Sequence, residues 1–234
     1  MEQQSAPSGV SSRTGRPAIP REHIIRAALE LLDESGASEF SLRALAKHMN
    51  SSTATLYRHF ASKDELLAEV GEFVLGQAWE ALRLRNAAAP ERGDWGEFWQ
   101  DRVFSAADAL FQMCEEHPRM VAILANDIAV GPNALVMREY VLAGLIEAGF
   151  APEVASQAFT SIMRCTLGFS AQLVGSDPSE GEAGMKLGKF FAGLDPKQFP
   201  AIAASARYLP AGLRDEFEFG LGCLLDGLAA KKPR

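Results

Sequence analysis

The chain has 234 residues, of which 47% are hydrophobic and 23% charged, an ordinary composition for a globular protein of one large domain or two small ones. No apolar run approaches the length of a membrane-spanning helix, and the first residues do not resemble a signal peptide, so we expect a cytoplasmic protein without a membrane partner. Three widely spaced cysteines, Cys114, Cys165 and Cys223, argue against a disulfide framework and a zinc site, and we expect neither metal nor cofactor.

Positive charge is concentrated near the N-terminus, although the whole chain carries a net charge of −7. Residues 41–63 contain no Asp or Glu, and the segment from Gln3 to Arg21 also lacks acidic residues. The first of these stretches carries instead Arg43, Lys47, His48, Arg58, His59 and Lys63. A protein that binds phosphate groups needs such a local positive footprint and can be acidic elsewhere. A solvated basic face is common on one helix, but a stretch spanning two predicted helices favours a nucleic-acid contact.

The first predicted elements are a flexible arm and two helices. Residues 1–19 are rich in Ser, Gly, Pro and Gln, which predicts a mobile arm. Pro20 suits the start of a first helix, whose apolar residues recur at helical spacing until Gly36 ends it. Ser41 is a good N-cap for a second helix, and Asn50, which tolerates a left-handed backbone, is placed to end it.

A third, short helix is predicted from Thr53 to Phe60, with Ser51 or Ser52 as its N-cap. The residues at 62–65, Ser-Lys-Asp-Glu, match a capping box and open a fourth helix that runs to about Leu84. Short helices punctuated in this way predict a helix-turn-helix unit, which places its second motif helix in the major groove of DNA.

The two sides of this recognition helix differ in chemistry. Leu56 and Phe60 are predicted to point toward the core. The outward side carries side chains that fit the groove, where Ala and Thr contact thymine methyl groups and Arg reads guanine, and these are Ala54, Thr55 and Arg58. Phosphate contacts beside the groove are expected from Tyr57, His59 and Lys63.

The rest of the chain is predicted to be helical. The predicted segments are Trp95 to about Glu116, Pro118 to Val130, Asn133 to Glu147, Pro152 to about Val174 and Leu213 to Leu228, with a loop from Gly175 to Gly184. No alternating strand pattern stands out. The fold class is therefore all-α, with a three-helix helix-turn-helix head at 20–67, joined by a linker helix to a helical ligand-binding and dimerisation domain at 68–234.

The head resembles the DNA-binding domain of the tetracycline-repressor family. The resemblance covers 21–67 and is most specific at 56–60, Leu-Tyr-Arg-His-Phe, which is correctly spaced from Lys63. The family usually has Gly at the position of Asn50, and Asn can adopt the same conformation. The resemblance implies base-reading positions at Arg43 and at 53–55. The complete expected DNA-binding set is Arg43, Ser52, Thr53, Ala54, Thr55, Tyr57, Arg58, His59 and Lys63.

A weaker resemblance to the tetracycline-repressor branch continues through the last long helices and implies a homodimer built on a four-helix interface. The side chains expected in this interface are Phe169, Phe217, Leu221, Leu224, Leu225 and Leu228. The alternative is that this apolar stripe only closes its own subunit's core. We favour the dimer because two rigidly joined heads gain avidity for DNA.

The candidate lining of a ligand site is a set of aromatic, Met and amide side chains: Trp99, Met113, Met120, Asn126, Tyr140, Phe159 and Met163. Side chains of this kind at helical spacing more often pack as plain core. Tetracycline repressors hold a drug-bound metal with help from His in the ligand domain. Because His117 is the only His outside the head, we expect a small, mostly apolar effector instead of a magnesium-tetracycline complex.

These patterns predict a transcriptional regulator, a repressor that binds palindromic double-stranded operator DNA as a homodimer and is released by a small-molecule effector. An activator and an effector-independent DNA-binding protein are the alternatives within the same class. An enzyme is not expected, because the chain has no phosphate-binding Gly motif, no CxxC and no nucleophile elbow. A purely architectural DNA-binding protein would not need a ligand-sized second domain.

Overall fold

The computed structural model describes residues 19–88, 95–126, 130–175, 179 and 181–232. Within these ranges the chain forms helices and turns but no strand, which confirms the all-α fold class. Residues 1–18 of the predicted arm lie outside the described residues. The α-helices are α1 (Arg21–Ser35), α2 (Leu42–His48), α3 (Thr53–Tyr57), α4 (Lys63–Ala88), α5 (Trp95–Glu116), α6 (Val121–Asn126), α7 (Pro132–Glu147), α8 (Pro152–Ser170), α9 (Gly181–Ala192), α10 (Pro200–Ser205) and α11 (Leu213–Ala229).

The turns of the head follow from local side-chain chemistry. The Ser41 hydroxyl accepts a hydrogen bond from the backbone N–H of Ala44 at 3.1 Å, and the Ser52 hydroxyl accepts one from that of Thr55 at 3.2 Å. Each bond satisfies an N–H at a helix start that has no partner inside the helix. Asn50 has φ 48°, the left-handed conformation that ends α2 and turns the chain toward α3.

The recognition helix α3 is shorter than the sequence predicts, because it ends at Tyr57 and not at Phe60. Beyond Tyr57 the N–H of His59 and that of Phe60 both bond the Leu56 carbonyl, at 2.9 and 3.0 Å. The chain therefore leaves α3 through one tight turn. This turn brings Phe60 into the core of the head, where its side chain is buried.

The long helix α4 connects the head to the remainder of the chain. At its start the Ser62 hydroxyl accepts from the N–H of Glu65 at 3.0 Å, and the Glu65 carboxylate accepts from the N–H of Ala61 at 2.6 Å. Two turns later Glu72 accepts a hydrogen bond from the backbone N–H of Asn133, at the first turn of α7. The same helix thus fixes the recognition helix at one end and α7 in its middle.

Helices α5, α7, α8 and α11 pack against one another around an apolar core. At its centre the rings of Phe111 and Phe217 are stacked with centroids 4.2 Å apart. At its edge the Arg214 guanidinium bonds the Glu115 carboxylate and lies 2.7 Å from a carboxylate oxygen of Asp108. The hydrogen bonds that Arg214 donates to Glu115 and Asp108 raise its pKa above its ordinary value. These charge-assisted bonds tie α11 to α5.

Two clusters of buried apolar side chains stabilise the described chain. The first contains the core of the head, including Leu32, Leu45 and Leu56, and continues without a break through α4 to Met113 and Met137. The second lies between α5, α7, α8 and α11. Because the first cluster crosses residue 67, the predicted boundary between the domains is not a gap in packing.

The predicted loop from Gly175 to Gly184 is too long, because α9 already begins at Gly181. Residues 176–178 and 180 of that loop lie outside the described chain. The predicted helix from Pro118 divides into a 3₁₀ helix, Pro118–Met120, and α6. No helix in the described ranges is long and apolar enough to cross a membrane.

Candidate DNA interface and ligand cavity

The outward side of α3 presents the short polar and small side chains that the sequence predicts for groove contact. Ser52, Ala54, Tyr57 and Arg58 are exposed, while Thr53, Thr55 and His59 are half-buried. Leu56 and Phe60 occupy the opposite side and are buried. Arg43 on α2 is exposed as well, so every expected base-reading side chain is at least partly exposed to solvent.

The outward side is partly organised by its own hydrogen bonds. The hydroxyl oxygens of Ser52 and Thr55 lie 3.0 Å apart, and the Arg58 guanidinium donates to the Thr55 hydroxyl at 3.4 Å. Tyr57 is 58% exposed, a large exposure for an aromatic side chain. An exposed phenol hydroxyl at the end of this helix can donate to a phosphate oxygen.

Lys63 has a structural contact that the sequence does not reveal. Its Nζ donates to the backbone carbonyl of Phe40 at 2.8 Å, across the loop that precedes α2. An ammonium group has three donors, so this bond leaves capacity for a phosphate. Any substitution of Lys63 would nevertheless disturb the head itself as well as a DNA contact.

Arg21, at the start of α1, braces the turn after the recognition helix, and sequence reasoning did not single it out. Its guanidinium bonds the backbone carbonyl of His59 and the carboxylates of Glu65 and Glu69, the latter two at 3.2 and 3.1 Å. It also lies over the Phe60 ring, 4.2 Å from the centroid. The N–H of Ala61 and the Arg21 guanidinium together lower the pKa of the Glu65 carboxyl below its ordinary value.

A cavity of about 460 Å³ lies between the two buried clusters. Its walls come from α4, α5, α6, α7 and α8, and small side chains on α5 and α7 leave the space. The lining residues are Leu75, Val103, Ala106, Ala107, Leu110, Leu124, Ala125, Ala134, Met137, Arg138, Val141, Leu142, Ser156, Phe159, Thr160, Ile162, Met163, Arg164 and Leu167. A mostly apolar cavity of this size with a few polar groups is typical of small-molecule sites.

The structure places only part of the predicted ligand set in this lining, namely Phe159 and Met163. Trp99, Met113 and Met120 are instead buried among core side chains. The Tyr140 hydroxyl accepts from the Asn86 side chain at 2.9 Å, and its ring packs edge-on against Trp79. The side chain of Asn126 lies outside the described part of the chain. Most of the lining residues that the prediction left out are aliphatic, such as Leu75, Leu110 and Ile162. The polar ones on α8, Ser156, Thr160 and Arg164, recur every four residues.

The apolar stripe on α11 packs inside its own subunit. Phe217, Leu221, Leu225 and Leu228 are all buried by α5, α7 and α8, and Phe217 is 0% exposed. These four side chains therefore contribute to the core of their own subunit and have little or no exposed surface. Leu224 and Phe169 are half-buried and pack against the same core. The outward face of α11 carries Phe219, which is 76% exposed.

The head is also held by the segment that precedes α6. The His117 Nδ1 lies 2.7 Å from a carboxylate oxygen of Asp33 near the end of α1, and Arg119 donates to the Glu34 carbonyl at 3.0 Å. Helix α6 then continues to Leu124 and Ala125, which line the cavity. One short stretch therefore contacts both the head and the cavity.

Two profiles of one family of regulators match the chain. Residues 24–70 match the profile described as "Bacterial regulatory proteins, tetR family", and residues 87–232 match the one described as "Tetracyclin repressor-like, C-terminal domain". The chain belongs to the TetR family. Its head is accordingly the family's helix-turn-helix DNA-binding domain, and at the level of the family it is a transcriptional regulator and not an enzyme.

Individual relatives of this TetR-family chain resemble it over nearly its whole length. A possible TetR-family regulator from Streptomyces coelicolor A3(2) is 30% identical, covers 90% of this chain and 99% of its own, and superposes with a TM-score of 0.72. The class A tetracycline repressor from transposon 1721 of Escherichia coli is 29% identical over 89% of this chain and 90% of its own. ActR of Streptomyces coelicolor in complex with actinorhodin, 23% identical over 92% of this chain and 99% of its own with a TM-score of 0.74, shares the fold.

Proposed function

We propose that the protein is a cytoplasmic repressor that binds a palindromic operator as a homodimer and is released when a small molecule enters the cavity. The observation that carries this proposal is the exposed outward side of α3, which combines groove-reading side chains with an acid-free basic stretch at 41–63. Phosphate repels carboxylates and attracts Arg and Lys, so such a surface is suited to DNA. In this proposal the head comprises 20–67, and 68–234 binds the ligand and the second subunit.

The homodimer is proposed to form through the outward faces of α8 and α11. Phe219 leaves an apolar ring in contact with water there. A Cβ added at Gly168 or Gly222 would have no atom of the chain within 4 Å, so the backbone is open for close approach of another helix. A second copy is the occupant that a DNA-binding head requires, because a pair of heads contacts two half-sites at once.

Effector binding is proposed to act on the head along two routes. Leu66 of α4 is buried with the head, and Leu75 of the same helix lines the cavity, about 14 Å away along a rigid helix. The second route runs through α6 to the contacts of His117 and Arg119 with α1. A ligand that displaces α4 or α6 would alter the spacing of the two heads, and it can do so only by binding the two arrangements with different affinity.

Two relatives support a ligand-released regulator. The Escherichia coli relative is named a tetracycline repressor, and ActR is described in complex with actinorhodin. The chain offers a cavity of about 460 Å³ within a domain of the same fold. We propose a different ligand chemistry for this chain, because tetracycline repressors use His on a drug-bound metal, and His117 instead contacts Asp33.

The proposal is tested by selecting bound sequences from random duplex DNA and then measuring affinity by fluorescence anisotropy at several salt concentrations. Tyr57→Ala removes an exposed side chain without opening the core, so it separates DNA contact from folding more cleanly than a Lys63 variant. We expect a roughly tenfold weaker binding of all sequences, since a phosphate contact is lost in each subunit.

Arg83→Ala serves as the matched control. Arg83 is exposed on α4 and paired with Glu80, far along the helix from α3. Its loss should leave operator affinity unchanged. The proposed DNA interface would be wrong if the wild type selected no sequence, or if the Tyr57 variant bound the operator with unchanged affinity.

A further inference from the structure

The cavity has two chemically different sides. Its inner wall is aliphatic and comes largely from α5 and α7, as in Val103, Ala107 and Val141. The side formed by α8 carries Ser156, Thr160 and Arg164, whose spacing of four residues places them along one line of the helix. All three are exposed, so they lie where the cavity meets solvent.

The solvent-facing edge of the cavity, which we call the rim, is formed by Ser156, Thr160, Arg164 and the neighbouring Arg138. Its second feature is positive charge. The described lining contains two arginines, Arg138 of α7 and Arg164 of α8, and no Asp, Glu, Lys or His, although the whole chain has a net charge of −7. The Arg138 guanidinium lies over the Phe159 ring, 5.6 Å from its centroid, which holds it at the rim. Arg164 makes no ion pair within the residues that the structure describes.

We infer that the effector is an amphipathic organic acid, with its apolar body in the aliphatic part of the cavity and its anionic group between Arg138 and Arg164. This inference rests on the proposed function of the cavity as an effector site. Guanidinium groups bind carboxylates through paired, charge-assisted hydrogen bonds, which a neutral head group cannot form. A neutral apolar ligand would offer these guanidinium groups no opposite charge.

The size of the cavity limits the apolar body. At roughly 30 Å³ for each water-sized atom, a volume of about 460 Å³ accepts on the order of 15 non-hydrogen atoms. A twelve-carbon fatty acid and a bicyclic aromatic acid are both within this limit. The volume of the cavity therefore fits an acid of medium length. Highly charged metabolites are unfavourable ligands for a different reason, because they would place charge against the aliphatic wall.

The test compares acids with alcohols of the same skeleton by calorimetry: dodecanoate with 1-dodecanol below the micellar concentration, and 2-naphthoate with 2-naphthalenemethanol. We expect at least one acid to bind about tenfold more tightly than its alcohol, as charge-assisted hydrogen bonds would give. Adventitious binding to an acidic protein would favour the alcohol, because the anion is repelled. Equal binding within both pairs, tighter binding of the alcohols, or binding of no probe overturns the inference.

A double variant tests whether the two rim arginines cause the preference for acids over alcohols. Arg138→Met with Arg164→Met should abolish the preference for the acid while alcohol binding stays unchanged. The matched control, Arg83→Met with Arg207→Met, removes two arginines outside the lining and should behave as wild type. Equal weakening of acid and alcohol by the rim variant would mean a merely structural role and would overturn the inference.

Operator binding separates this inference from the proposed function. Without ligand, the rim variant should bind the selected operator as tightly as the wild type, and the preferred acid should release the wild type only. If the wild type binds the operator but does not prefer acids to alcohols, the inference about the ligand class is wrong and the proposed regulator function is unaffected. If the wild type prefers acids to alcohols but binds no operator, the proposed function is wrong and the inferred anion site is unaffected.

Discussion

Single side chains in the head secure the orientation of the recognition helix. Arg21 bonds the His59 carbonyl and two α4 carboxylates and covers the Phe60 ring, so it joins the start of α1 to the turn after α3. Since α3 has only five residues, it cannot hold its own position by helical propensity. The exposed side chains of α3 therefore depend for their position on neighbours such as Arg21.

The carboxylate of Glu65 should make the stability of the head depend on pH. Its pKa is lowered by the Ala61 N–H and by Arg21, so the charged form stabilises the folded chain above the ordinary Glu pKa of about 4.3. That contribution is lost as the pH falls through the lowered value. We expect urea unfolding to show Glu65→Gln less stable than wild type at pH 6, with the difference shrinking steadily below about pH 4.

Glu182→Gln provides the control for this prediction. Glu182 is an exposed carboxylate paired with Lys186 on α9, and it has no contact with the head. Its removal should leave the pH dependence unchanged. A Glu65 variant that differs from wild type by the same amount at every pH would show that the carboxylate charge does not matter.

At the scale of helices, α11 buries an apolar stripe on its inward side and exposes one aromatic ring on its outward side. The inward stripe fills the core through Phe217, Leu221, Leu225 and Leu228, and the outward face exposes Phe219. A charge at Leu221 would unfold the subunit and reveal nothing about assembly, because a buried unpaired charge is strongly destabilising. Phe219 is the position at which assembly and folding are separable.

Phe219→Glu should give a helical monomer in light scattering, since it places charge in the proposed interface without entering the subunit core. Phe190→Glu is the matched control, because Phe190 is 60% exposed on α9, away from the outward faces of α8 and α11. The control should remain a dimer. A dimer of unchanged affinity with Glu at 219 would locate the interface elsewhere.

The elements differ in how far the sequence predicts them. Caps and turns such as Ser41, Asn50 and Ser52 are local, so the head is predicted nearly residue by residue. A stripe such as that of α11 predicts a buried face but not what covers it. The cavity arises where small residues, Ala106 and Ala107 among them, leave space between distant helices. The predicted set of aromatic, Met and amide side chains therefore contains only two residues of its lining, Phe159 and Met163.

At the scale of the molecule, positive charge is concentrated in one stretch of the head. The stretch at 41–63 is free of acids, while the whole chain carries −7. The acidic remainder would be repelled by phosphate, which favours approach to DNA by the heads alone. The buried cluster that continues from α1 to α7 also reaches the cavity wall at Leu75 and Met137, and we propose that changes around the cavity act on the head through it.

The spacing of the operator half-sites tests the central claim most directly. Two heads on a rigid dimer must reach successive major grooves on one side of the duplex, about 10 base pairs apart or a multiple of that distance. Anisotropy titrations would compare the selected operator with a version in which roughly half a turn, 5 base pairs, is inserted at its centre. A rigid dimer should bind the lengthened operator with the affinity of a single half-site, because only one head can bind. Equal affinity for both spacings would contradict a regulator that binds DNA as a rigid dimer.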